Sequence, residues 1–366
     1  MGNNIHGGDI YRNKVNIDFS VSLNPMDWPY VLKQRIEGIL TDLNNIHTYP
    51  DITYDRLRAA IAAYTGEPAH RIVCGNGASE LISGIVNVTK PQRVLLVSPC
   101  FSGYERAVKA YGAEIIYAYT DEESGFSDTD VILECLDGAD ATLNNKTPDL
   151  VIIGNPSNPV GNLIPSEAYE KIVKKCEEKR IVLLVDECFT ELSMSCDEYE
   201  KNYGSIRGRT LIRLRALTKS FRLAGLRLGY ALCEDVEIAY KLGASLPEWN
   251  VSTIAMKAGT ACLEYECKLS EESRYITASY EYIKRERERL AEALRKPGIR
   301  VYDGAAGFLL IHSEINLYEK LLEKGILIRD CANITGLDKG YYRLSLRDRT
   351  DDDRLIESIR DCYERI

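Results

Sequence analysis

The chain has 366 residues, enough for more than one hydrophobic core, so two domains, or one large domain with a smaller lobe, are expected. With 45% hydrophobic and 28% charged residues it has ordinary globular composition, which excludes a disordered or fibrous protein. The formal net charge of −9 excludes the broad basic surface that tracks a nucleic-acid backbone, while leaving room for local Arg clusters and a small anionic substrate.

Residues 1–30 read as an N-terminal arm. Its opening, Met1 to Tyr11, is polar and Gly-rich rather than apolar like a signal peptide, and nowhere does the chain approach ~20 consecutive apolar residues. A cytoplasmic protein with no membrane partner is therefore expected. Eleven cysteines lie at irregular spacing without a CxxC pair, which fits reduced thiols, most of them small buried hydrophobes, and no metal site.

Over residues 31–245, runs rich in Val, Ile and Leu alternate with helical stretches. The strands are expected at Val94–Ser98, Leu150–Gly154, Ile181–Val185, Thr210–Leu214 and Leu228–Leu232, with helices such as Leu81–Val88 and Ser166–Lys179 between them. Nearly continuous apolar runs mark strands buried on both faces, so the expectation is an α/β domain with a mostly parallel central sheet and helices on both sides. Residues 246–366 change to long charged helices, above all Ser270–Arg295, and then to short strands near Phe308–His312 and Tyr342–Leu346, a smaller α+β domain. The alternating charges of Ile283–Arg295 read as a solvated helix face.

In open α/β sheets ligands gather beyond the carboxyl ends of the strands. Four loops at such ends are chemically loaded. Gly75-Asn76-Gly77-Ala78-Ser79-Glu80 opens a helix, where small residues and free N–H groups suit an anion; taken alone it reads more readily as an ordinary helix start. Asn155-Pro156-Ser157-Asn158-Pro159 follows a strand, and its prolines fix a turned backbone that presents the Asn158 amide; a plain Asx turn would look the same. Asp186 ends a buried strand, where a carboxylate is costly unless it meets a cation. A protonated pyridine nitrogen would satisfy it, as would a metal ion or a helix start. Thr218-Lys219-Ser220 sits in a small semi-apolar loop, and desolvation there lowers a lysine pKa toward Schiff-base chemistry. Arg227, among glycines shortly after, is placed to neutralise a phosphate.

With GNGASE, NPSNPVG, DECF and TKSFRLAGLRLGY in this order, the chain resembles the fold-type I, pyridoxal-5′-phosphate-dependent enzymes, the class I/II aminotransferases, over nearly its whole length. The resemblance implies the aspartate-aminotransferase fold and pyridoxal 5′-phosphate as cofactor. It implies Lys219 as the Schiff-base lysine, Asp186 at the pyridine nitrogen, Asn158 at the phenolic oxygen, and Gly77, Ala78, Ser79, Thr218 and Arg227 around the phosphate. Lys219 and Asp186 would be the catalytic pair. Phe101 would stack on the ring, and Tyr49 would reach the cofactor phosphate of a partner subunit, implying a homodimer.

Two branches of the family are similar to the chain: threonine-phosphate decarboxylase, of the cobalamin pathway, and histidinol-phosphate aminotransferase. His6-Gly7-Gly8, Asp18-Phe19-Ser20, the run Leu246–Val251, and Ile328–Asn333 with Tyr341-Tyr342-Arg343 resemble the decarboxylase. Phe189 stands where the aminotransferase branch carries Tyr, while Asp9 and Glu248 depart from the decarboxylase. The expected substrate-binding residues are His6, Asn158, Arg329, Arg343 and Arg347. Arg343 would anchor a carboxylate, and Arg329 and Arg347 would suit a phosphate, although Arg347 beside Asp348 reads equally well as a surface residue. The leading expectation is decarboxylation of a phosphorylated amino acid, phospho-threonine first; the alternative is an aminotransferase of the histidinol-phosphate type. A third reading, a non-catalytic pyridoxal-phosphate-binding module of a regulator, calls for a basic helix-turn-helix segment, which is expected neither before residue 30 nor after the smaller lobe.

Overall fold

The computed structural model describes residues 6–127, 129–137, 147–295 and 298–364. A short strand in the arm, β1 (Ile17–Asp18), precedes the strands of a large sheet: β2 (Ile72–Gly75), β3 (Arg93–Ser98), β4 (Glu114–Tyr119), β5 (Leu150–Gly154), β6 (Val182–Asp186), β7 (Leu211–Ala216) and β8 (Gly229–Cys233). They lie in the order β2-β8-β7-β6-β5-β3-β4. The pairs from β7 through β6, β5 and β3 to β4 are parallel, whereas β8 runs antiparallel to both β7 and β2.

Period-two alternation sends neighbouring residues of one strand to opposite faces. Leu95, Val97, Val151, Ile153, Leu183, Val185 and Leu211 pack on one side against Thr129–Asp137 and Ser166–Glu178. Val94, Leu96, Leu150, Ile152, Leu184, Ile212 and Leu214 pack on the other against Ala78–Thr89, Ser102–Tyr111 and Val236–Ser245. Every strand expected in this region is present within two residues. Two strands, β2 and β4, lie beyond those the sequence leads one to expect. β2 is only four residues long, and β4 is an edge strand with exposed ends and an alternating pattern, so neither shows the continuous apolar run of a central strand.

A second, antiparallel sheet follows. β9 (Arg300–Val301), β10 (Phe308–His312), β12 (Arg329–Asp330) and β13 (Tyr341–Ser345) take the order β12-β13-β10-β9, and β11 (Ile326–Leu327) pairs in parallel with β1 of the arm. Phe19 is fully buried in the core of this region, and its backbone bonds to Leu327 and Ser345, so the arm is stitched to the chain's last third. Helices Tyr275–Arg295 and Arg349–Glu364 cover the sheet. The first begins five residues later than Ser270 and is not solvated along its whole charged run. Glu286 is buried and accepts a 2.6 Å bond from Arg289, while Ile283, Leu290 and Leu294 enter the core. Helix Thr253–Glu266 packs instead on Asp55–Thr65 and Tyr30–Thr41, sharing a core with residues of β2 and β8. Among the described residues no helix is long and apolar enough to cross a membrane. None of the eleven cysteines is in a disulfide, and most are buried.

Candidate active site

Strand direction decides where the four loops meet. β3, β5, β6 and β7 run the same way, and β2, reversed twice across β8, joins them, so the carboxyl ends of all five share one edge of the sheet. The amino end of β8, just after Arg227, reaches that same edge because the strand is inverted. A cavity of about 410 Å³ opens there. His6, Ala78, Ser79, Phe101, Asn158, Asp186, Thr218, Lys219, Arg227, Arg329 and Arg343 all line it.

Lys219 stands in the short helix Leu217–Ser220 immediately beyond β7, with its Nζ 5.4 Å from the ring centre of Phe189. Burial, then the guanidinia of Arg343 and Arg227, pull its ammonium pKa down to about 8. Roughly a tenth or more of the amine is then neutral near pH 7, against well under a thousandth for an ordinary lysine. The same shift makes a stability prediction for the cofactor-free protein. The unfolded lysine holds its proton up to its ordinary value of 10.5 and the folded one only to about 8, so stability should rise with pH across that window. Cofactor-free Lys219→Met, which carries no such charge, should melt above the wild type at pH 7, by up to about 3 kcal/mol in stability, and the gap should close by pH 10. A gap that stays constant over that range in calorimetric scans would remove this account.

Asp186 is the last residue of β6. Its Oδ1 accepts the Cys188 backbone N–H at 3.0 Å and its Oδ2 accepts the Tyr104 hydroxyl at 2.7 Å. Burial, followed by this carboxylate, pushes the Tyr104 phenol well above the usual tyrosine range, so it stays a donor. The next residue, Glu187, takes an ion pair to Arg215 at 2.9 Å and the Tyr199 hydroxyl. Two consecutive acids therefore have separate tasks, and only Asp186 lines the cavity.

Arg343 donates to Asn158 Oδ1 at 2.6 Å and to the Ser20 carbonyl at 2.9 Å, and its guanidinium lies over Phe308. With its oxygen so engaged, the Asn158 side chain offers a ligand its N–H₂ group. Phe101 is held edge-on by Tyr104, with ring centres 5.5 Å apart. A side chain at Gly103 would stand 2.2 Å from the Phe101 ring, so the glycine makes room for it.

Gly77 does not itself line the cavity, and its contribution is space. It has φ +78°, and a Cβ there would sit 2.6 Å from Arg227 Nη2. Only glycine adopts that backbone cheaply while letting the guanidinium close over the start of helix Ala78–Thr89. Gly229 does the same from β8, where a Cβ would come within 2.8 Å of the Ala78 nitrogen. The result is a helix start, with its unpaired N–H groups and positive dipole end, beside an arginine.

Two expected site residues lie elsewhere. Arg347 donates Nε to the Asp18 carbonyl at 2.6 Å and its Nη2 to the same oxygen, which ties down the arm rather than lining the cavity. Tyr49 is 76% exposed and packs on Trp249 at 4.8 Å between ring centres, away from this chain's own cavity. Conversely, Ser102, Gly103, Tyr104, Arg106 and Cys188 line the cavity without having been singled out. The sequence carries a signal for the first four: they follow the expected strand Val94–Ser98, and the carboxyl end of such a strand is where ligand-binding loops lie.

This set fits pyridoxal phosphate: a buried amine of lowered pKa for its carbonyl carbon, a carboxylate for its ring nitrogen, an amide donor for its phenolic oxygen, an aromatic face, and a helix start with Arg227 for its phosphate. Bound there, the cofactor supplies an electron sink for charge developing on an amino acid.

The comparisons agree with that chemistry. The chain matches the family Aminotransferase class I and II over residues 15–359. It is 32% identical to the threonine-phosphate decarboxylase of Salmonella typhimurium, covering 98% of this chain and 96% of that protein. Among solved structures, the histidinol-phosphate aminotransferase from Clostridium acetobutylicum superposes with a TM-score of 0.82 at 31% identity, covering 96% of this chain and 100% of the other. The histidinol-phosphate aminotransferase from Sinorhizobium meliloti, solved with pyridoxal 5′-phosphate, shares the fold with a TM-score of 0.77 at 19% identity over 95% and 92% of the two chains. The fold is therefore that of the aminotransferases, the residues of the cavity fit pyridoxal 5′-phosphate, and the chain belongs to the class I and II aminotransferase family.

Proposed function

We propose that the protein decarboxylates an O-phosphorylated amino acid, with threonine phosphate as the first candidate substrate. The observation that carries this reading is the number and separation of cations in one cavity. Arg227 stands at the helix start beside Gly77, where it would meet the cofactor phosphate. Arg343 and Arg329 remain for substrate, held by different partners: Arg343 by Asn158 and Ser20, Arg329 by the Asp330 carbonyl and Asn333. A substrate bearing a carboxylate and a phosphate at once uses both. In an alternating aminotransferase cycle the two anions would arrive on different molecules.

In this reading Lys219 carries the cofactor and Asp186 stabilises a proton on its ring nitrogen. Arg343 holds the carboxylate and Arg329 with His6 holds the phosphate. When the bond from Cα to the carboxylate breaks, CO₂ leaves into the cavity and its electron pair stays with Cα. Lys219, its amine freed once the substrate's amine takes its place on the cofactor, or a water would then deliver a proton to Cα, and the product would be the phosphorylated amine. Phe189, whose ring centre lies 5.4 Å from Lys219 Nζ, supports the reading because it stands where the aminotransferase branch carries Tyr.

The test is a pair of incubations of the holoenzyme. Threonine phosphate should release CO₂ with no keto acid added, and histidinol phosphate with 2-oxoglutarate should give no glutamate. Strict dependence on 2-oxoglutarate would instead establish the histidinol-phosphate-type aminotransferase, which the 31% identical structure keeps as the second reading. The enzyme would work as a cytoplasmic homodimer. Cysteines outside any disulfide support a reducing compartment, and the exposed Leu43, Ile46, Tyr49 and Ile52 support a covered surface.

A further inference from the structure

One guanidinium in the cavity has no part in the scheme above. Arg106 belongs to helix Ser102–Tyr111, whose cavity side is formed by Ser102, Gly103, Arg106 and Ala107, residues one helical turn apart. His6 and Arg329 line the same cavity, from the arm and from β12. The cations divide into two groups. Lys219 lies within the fields of Arg343 and Arg227, whereas the His6 imidazole, lowered first by burial, lies within those of Arg329 and Arg106. Arg329 and Arg343 are direct neighbours across the β12–β13 pair, so the first group passes into the second within one strand spacing.

The placement of His6 is built into the backbone. Gly7 comes so close to Ser20 that a Cβ would stand 2.2 Å from the Ser20 carbonyl oxygen, and Gly8 donates its N–H to Ser20 Oγ at 2.6 Å. Ser20 is fixed in turn by Asp18, through bonds of 2.8 Å from its nitrogen and 2.6 Å from its hydroxyl. The arm thus delivers one ring to the same part of the cavity as two arginines.

Resting on the phosphorylated-substrate reading, we propose that Arg106 is a specificity-determining residue: with His6 and Arg329 it forms a three-sided cradle for a phosphomonoester dianion, selecting it over a carboxylate. Three separate parts of the chain supply the cradle: the helix after β3, the strand β12 and the arm. A dianion with three terminal oxygens can bond to all of them at once, and a carboxylate, with one charge and two oxygens, leaves one guanidinium without a counter-charge. Arg343, paired with Arg329 across β12–β13 and within the field of Lys219, is left to the α-carboxylate.

The experiment measures binding rather than turnover. Wild-type, Arg106→Gln and Arg106→Lys holoenzymes are titrated with threonine phosphate, histidinol phosphate and unphosphorylated threonine, following the visible absorbance of the cofactor. Arg106→Gln should weaken both phosphorylated ligands by roughly 10- to 100-fold, the loss of a hydrogen-bonded charge pair, and leave threonine within about 2-fold. Arg106→Lys should recover part of the difference, and inorganic phosphate should compete with the phosphorylated ligands less well in the Gln variant. Unchanged affinity for the phosphorylated ligands, or an equal loss for threonine, would overturn the assignment. Arg106 is exposed, so the variant's melting temperature should match the wild type. The two readings fail separately. Tight, Arg106-dependent binding without CO₂ release removes the decarboxylase and keeps the cradle. CO₂ release with an undisturbed Gln variant does the reverse.

Discussion

Lys219→Ala should lower turnover by at least about 10³-fold and abolish the visible absorbance that wild-type enzyme retains after exhaustive dialysis. Among the described residues lining the cavity, the half-buried Lys219 carries the amine, pulled toward neutrality with its pKa near 8. Cys188 also lines the cavity, but burial pushes its thiol well above the usual range and the adjacent Asp186 pushes it further, so it cannot substitute as a thiolate. The fold should survive, because Ala keeps the short helix Leu217–Ser220 and removes a group that is costly to bury in charged form. A Lys219→Ala protein that holds its colour through dialysis and turns over within 10-fold of wild type would place the chemistry on another residue.

Asp186→Asn should reduce kcat by at least about 100-fold, the scale on which loss of one preorganised electrostatic partner is felt, and should weaken cofactor retention. This substitution isolates charge from geometry. The Asn side-chain oxygen can still accept from Tyr104 or from the Cys188 backbone, the two donors that hold Asp186 at 2.7 and 3.0 Å, so little stability should be lost. Asp186→Ala, by contrast, leaves the buried Tyr104 hydroxyl without its acceptor and should cost a further 1–3 kcal/mol or so in denaturant unfolding. If Asn retained wild-type kcat, a protonated ring nitrogen opposite Asp186 could not be what drives the reaction. Stability that fell equally in both variants would show instead that the carboxylate is structural.

Lys219, Asp186, Asn158 and Arg227 were legible in the sequence because each follows or precedes a Val/Ile/Leu run that only a buried strand explains, and a polar group at such a position needs a ligand or a partner. The family resemblance added Phe101 and the roles. Local patterns could not reveal that β8 is inverted, because an apolar run reads the same in either direction; yet that inversion brings Arg227 to the common edge with Gly77.

Arg347 and Arg106 show the limit most clearly. Both are arginines beside acids in the sequence, at Asp348 and Glu105. Whether such a cation serves a ligand, a carbonyl or solvent depends on what lies across from it. The pairing of β1 with β11 puts the Asp18 carbonyl under Arg347, and the turn after β3 points Arg106 into the cavity. Sequence by itself determined which strands end in reactive groups, since burial of an apolar run is a local property of the chain. Tertiary structure alone decided which cations meet, since that depends on strand direction and on contacts between residues as far apart as 18 and 347.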